Sequence, residues 1–89
     1  MNPIHERLRP EQALEAEQIA RLIYETRENR RQVLAALGAQ DEAALLARIV
    51  SGELDEHPAW EHYLAACVLT STHEAARATM AALLQEANR

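Results

Sequence analysis

The densest run of side chains able to do chemistry is ELDEHPAWEH, residues 53–62, which carries Glu53, Asp55, Glu56, His57, Glu61 and His62 with no arginine among them. Carboxylates and imidazoles are the ligands a divalent transition metal takes, and His57 and Glu61 stand one helical turn apart. Glu56, His57, Glu61 and His62 are therefore the candidate metal ligands. Helical metal sites are usually marked by H-x-x-x-H or a repeated E-x-x-H, however, and neither spacing occurs in this chain. Acidic residues at a helix start are also what the helix dipole favours by itself. The same run supports a second reading, an acidic strip that docks a basic partner. Trp60 and Tyr63 follow it at once, and in a chain with so few aromatic residues they have the composition of an interface anchor as well as that of a filled core corner. Glu53, Asp55, Glu56, Trp60, Glu61 and Tyr63 are the candidate partner-binding residues.

The one basic concentration is Arg27, Arg30 and Arg31, which could hold a phosphate or an acidic partner by bidentate hydrogen bonds. Glu28 is spaced to neutralise Arg31, and Glu17 to neutralise Arg21, across single helical turns. A helix-turn-helix built around Gly52 would open its recognition helix with Asp55, Glu56 and Glu61, which repel phosphate, so nucleic-acid binding is disfavoured. Cys67 has no basic residue within a turn to activate it and reads as a small hydrophobe. No Ser/His/Asp set and no glycine-rich phosphate loop can be assembled, and no enzyme or cofactor is expected.

Composition sets the frame that positions these residues. The chain has 89 residues, 48% of them hydrophobic, with no Phe, a single cysteine and a net charge of −5 in which every basic residue other than histidine is arginine. Alanine and leucine in place of β-branched and aromatic residues indicate an all-α protein. A single domain of this size buries only about 60% of its unfolded surface, and neither a disulfide nor a zinc site is available to help, so association is the expected supplement. An acidic chain is not drawn to DNA or to anionic lipid, and no apolar run approaches the ~20 residues of a membrane span. No membrane contact is expected, and the expected location is the cytoplasm. The preference for alanine and arginine points to a GC-rich bacterial genome.

Punctuation by proline and glycine divides the chain into an N-terminal arm, residues 1–9, in which Ile4 and Leu8 could tuck onto a neighbour, and one helical domain, residues 10–89. Helices are expected over 10–37, 41–51 and 58–87. Pro10 suits a first turn, Gly38 a left-handed cap and Asp41 an N-cap, while Pro58 disfavours helix at His57. The first helix carries a heptad-like seam, Ala16, Ile19, Ile23, Thr26, Arg30, Val33 and Leu37, with two polar positions in its middle. In the last helix Trp60, Tyr63, Leu64, Cys67 and Val68 share one face, and Leu69, Thr72, Ala76, Met80 and Leu83 continue on a second. Thr70, Ser71 and Thr72 either break that helix or lie within it, and the absence of Gly or Pro after Pro58 favours continuity.

The expected fold is an antiparallel hairpin of two long helices with a short bridging helix. The first seam is buried against Leu64, Leu69, Ala76, Met80 and Leu83, and two hairpins pair into a dimeric four-helix bundle. In that register Thr26 and Arg30 meet Ser71, Thr72 and His73 in a polar layer, since polar groups taken out of water need partners. The functional expectation is a non-enzymatic protein–protein interaction module, an adaptor, regulator or inhibitor working as a homodimer on a protein partner. A metal-binding or metal-sensing bundle is the alternative, and a nucleic-acid-associated regulator the second.

Overall fold

The structure, a computed structural model, describes residues 8–88. It contains three helices and no strand among those residues: α1 (Pro10–Ala36), α2 (Glu42–Val50) and α3 (Glu56–Ala87). Ile4 of the expected arm lies outside the described residues; Leu8 is half-buried.

Each boundary has a local cause. Pro10 occupies the first turn of α1, where its missing N–H costs nothing. The side-chain oxygen of Gln12 accepts the backbone N–H of Arg9 at 3.0 Å, half of a capping box, and Gln12 is buried. At the other end Gly38 takes φ 66°, its N–H donates to Ala35 O at 3.0 Å, and the Ala39 N–H donates to Leu34 O at 3.0 Å. This pair of bonds is a Schellman closure, which needs the left-handed residue that glycine supplies. Asp41 then caps α2 by accepting the Ala44 N–H at 2.8 Å. His57 is extended (φ −108°, ψ 129°), so regular helix in α3 begins at Pro58. From there α3 continues unbroken through residues 70–72.

The two long helices run antiparallel, with Arg9 and Gln12 beside Glu86 and Ala87 at the open end. At the closed end α2 fills the angle between them. Leu34, Leu45, Ile49, Ala59 and Ala66 form the core there, with Val33, Leu37, Ala39, Leu54 and Tyr63 packed around it. Leu45 is fully enclosed, at 0% exposure. Toward the open end there are only two layers. Ala16, Thr26, Ala76 and Leu83 are buried and Ile19, Ile23 and Met80 half-buried. The result is a body about 53 Å long and 19 Å by 17 Å across, with a radius of gyration of 17.3 Å, against roughly 12 Å for a compact domain of this length. So slender a shape leaves much apolar surface uncovered.

The covered face of α1 follows the expected seam, with Ala16 and Thr26 buried and Ile19, Ile23, Arg30, Val33 and Leu37 half-buried, and Gln12 and Leu34 are buried in addition. That of α3 agrees over its second half, where Ala76 and Leu83 are buried and Leu69 and Met80 half-buried, and requires a correction over its first. Leu64 lies 45% exposed on the outside, together with Trp60 at 41% and Val68 at 64%. The inner positions belong to Ala59 and Ala66, with Tyr63 half-buried beside them. These small residues leave room for Leu34, Leu45 and Ile49 in the same cluster, while Trp60, Leu64 and Val68 stand outward.

Candidate functional site

Two groupings of functional side chains emerge, one at the middle of the hairpin and one at its closed end. The first replaces the expected polar layer with a different membership. Arg30 donates from Nε to Glu42 Oε2 at 2.9 Å and from Nη2 to Glu42 Oε1 at 2.5 Å, and the Thr70 hydroxyl donates to Glu42 Oε2. One carboxylate at the start of α2 thus joins all three helices. The hydrogen bonds from Arg30 first, and then that from Thr70, hold the Glu42 carboxyl down at about 2, against the opposing effect of its partial burial. Thr26 is buried but satisfies itself, donating to Leu22 O at 2.7 Å and Ile23 O at 3.1 Å. Ser71 is exposed, and Thr72 and His73 are half-buried. Arg30 and His73 do share a cleft, together with Arg27, Thr70, Glu74 and Arg77. Among the described residues no buried side-chain polar atom lacks a partner.

Glu42 was not legible as a site residue. The available signal was its place one residue after the Asp41 cap, where a carboxylate on a short helix can reach back to the polar positions of a neighbouring seam.

The second grouping is the closed end. Val50 is 78% exposed at the end of α2, and Trp60, Leu64 and Val68 stand on successive turns of the outer face of α3. A cleft of about 280 Å³ opens between Ile49, Val50, Glu56 and Trp60. The Trp60 ring stacks on Tyr63 with centroids 5.3 Å apart and planes inclined by 27°, so the indole has a fixed orientation while one face stays open. Around this apolar area lie Glu53, Asp55, Glu56 and Glu61, all exposed. Arg48 ties Glu53 down at 3.2 Å, and the same guanidinium donates to Leu37 O at 2.5 Å, so it closes both turns that flank α2. Asp55 and Glu56 have no ion-pair partner among the described residues, which leaves their charge available to an incoming group.

The proposed metal ligands are divided. His57 donates from Nδ1 to Glu61 Oε1 at 2.6 Å, whereas His62 donates from Nδ1 to the Pro58 carbonyl at 2.8 Å. Glu61 is held below its ordinary pKa first by a backbone hydrogen bond and then by His57. Among the described residues no three His, Cys, Asp or Glu side chains are placed to hold a metal ion together. The arginine group is divided too. Arg31 turns away to pair with Glu28 at 2.8 Å, whereas Arg27, over the Tyr24 ring at 5.6 Å from its centroid, stays in the cleft with Arg30. Cys67 is half-buried beside Tyr63, whose phenol is pushed above its ordinary pKa first by a hydrogen bond with that thiol. No helix is long and apolar enough to cross a membrane among the described residues.

Comparison with known proteins places the chain in a family. The model of the Uncharacterized protein MJ0235 family matches residues 6–88, and the chain belongs to that family. No curated protein and no solved structure matches it.

Proposed function

We propose that this member of the MJ0235 family is a non-enzymatic interaction module whose working surface is the closed end of the hairpin. The observation that carries the reading is the exposure of Val50, Trp60, Leu64 and Val68 together, next to the unpaired carboxylates Asp55 and Glu56. A single exposed apolar residue needs no explanation, but a contiguous patch rimmed by charge is the usual composition of a docking surface. The matching partner presents an apolar side chain to the cleft between Val50 and Trp60 and a basic one to Asp55 and Glu56. Wild-type protein on a support retains such a partner. The variant carrying Asp55→Asn and Glu56→Gln, and separately Trp60→Ala, remain folded by circular dichroism and lose it. Equal retention by all three would refute the assignment.

The outer face of α3 also favours a homodimer. Its first half presents Trp60, Leu64 and Val68 and its second half Ala75, Ala78 and Ala82, and all six are exposed. A second copy laid antiparallel across α3 about Ser71 brings Trp60 beside Ala82, Leu64 beside Ala78 and Val68 beside Ala75. Large side chains then meet small ones along the whole contact, the complementarity that helix packing needs. In this arrangement Trp60, Leu64 and Val68 are covered by the second copy, so the partner is left Val50, Asp55 and Glu56, which stay open at both ends of the dimer.

A further inference from the structure

The groove between α1 and α3 is covered by α2 only as far as Glu42. Beyond that point it continues as a cleft of about 170 Å³ lined by Arg27, Arg30, Thr70, His73, Glu74 and Arg77. In a chain of net charge −5 this is a local reversal of sign. Three guanidinium groups from two facing helices converge on one concavity. Arg77 has no ion-pair partner among the described residues, and Arg27 engages only the face of Tyr24, which leaves its N–H edge free. Arg30 is pinned by Glu42 through Nε and Nη2, which fixes its plane and leaves Nη1 as a donor. His73 adds a ring nitrogen. The Thr70 hydroxyl proton is already given to Glu42, so Thr70 supplies wall and not a donor. Glu74 is the opposing charge at the rim, and with Glu42 it leaves the cleft net positive by one.

We propose that this cleft binds the phosphate group of a small molecule, inorganic phosphate or a simple phosphate monoester, with Arg27 and Arg77 as the principal donors and Arg30 and His73 completing the set. Planar guanidinium forks match a tetrahedral oxyanion bidentately, and several arranged on rigid helices are the usual means of phosphate recognition. The volume bounds the ligand. Pockets for drug-sized molecules run from roughly 300 Å³ upward, so this cleft takes the phosphate and leaves any attached group outside. A continuous nucleic-acid backbone is a poorer fit, since Arg31 is neutralised by Glu28 and the acidic turn at residues 53–61 repels a strand.

The test is calorimetric titration and thermal unfolding of the full chain with inorganic phosphate and with glycerol phosphate, against sodium chloride at matched ionic strength. Saturable binding and a raised melting temperature with phosphate but not with chloride are expected. Response to phosphate alone would identify the free ion as the ligand, and response to both would show that the attached group is left outside. Arg77→Gln and Arg27→Gln each weaken binding roughly tenfold or more, the cost of losing a charge-assisted hydrogen-bond pair, and Arg31→Gln leaves it unchanged. No phosphate-specific response in the wild type would overturn the proposal. So would a response that survives both cleft substitutions, or tighter retention of single-stranded DNA that Arg31→Gln weakens as much as Arg77→Gln. The retention experiment at the closed end is independent of each of these outcomes.

Discussion

Glu42 is held by donors from two other helices, and its titration is therefore tied to the fold. Its folded pKa, about 2, lies below the 4.5 of the free side chain. A depressed carboxylate contributes stability that is fully present above the unfolded value and is lost as pH falls through the folded one. Because the Arg30 and Glu42 side chains retain 33% and 18% exposure, solvent screening reduces the contribution to about 1 to 2 kcal/mol. Urea midpoints should accordingly fall as pH is lowered from 5 toward 2. Glu42→Gln should lower the midpoint at pH 7 and flatten the descent; an unchanged slope in the variant would show that other carboxylates govern acid unfolding. Leu45 has the opposite character, an apolar residue with no exposure at all. Leu45→Ala should cost about 2 to 5 kcal/mol in the same urea experiment, because it removes fully buried apolar atoms from the middle of the small core.

Breakers made the elements legible. Pro10, Gly38, Asp41 and Pro58 each act as the residue type dictates, and the lack of Gly or Pro past Pro58 carries α3 through the hydroxyl triplet at 70–72. The seam of α1 was readable because its 3–4 spacing mixes large and small residues in only one register. The second half of α3 was readable too, with Ala76 and Leu83 buried and Leu69 and Met80 half-buried, but the inner face of its first half was not. Two stripes there are equally periodic, one of large residues and one of alanines, and a size rule selects the large one. The structure places Ala59 and Ala66 there, against Leu34, Leu45 and Ile49, and leaves Leu64 outside. Likewise the polar positions of the seam announced a partner without specifying that it would come from α2, because no periodicity links two separate helices. Gly38 bears the clearest test at this scale. At φ 66° an added side chain is strained, although the nearest group to the new Cβ, the Arg48 guanidinium, is an ordinary 3.5 Å away. Gly38→Ala should lower stability by about 1 kcal/mol through backbone conformation alone, read as a shift in melting temperature with unchanged helix content by circular dichroism.

At the scale of the molecule the governing fact is slenderness. A hairpin 53 Å long with a third helix at one end cannot enclose its apolar residues by itself, and Trp60, Leu64 and Val68 stand on the side that α1 does not reach. Light scattering behind size exclusion should give twice the mass of the chain. Leu64→Glu with Val68→Glu should return a helical species of single-chain mass, whereas Leu14→Glu, on an exposed position of α1, should leave the mass unaltered. A single-chain mass for the wild type over a range of concentrations would leave the α3 face open for the partner instead. The uneven layering also has a kinetic meaning. Contacts at the closed end join residues close in sequence, such as Leu37 with Arg48, whereas those at the open end join the Gln12 turn to Glu86 and Ala87 across nearly the whole chain. Closure of the distant pair carries the larger loop entropy and has only two thin layers to reward it. Amide protons of residues 13–20 and 80–87 should thus exchange well before those of 45–49 and 62–67, so that the molecule breathes like a pair of tongs, pivoting on the small core around Leu45 and opening at its tips.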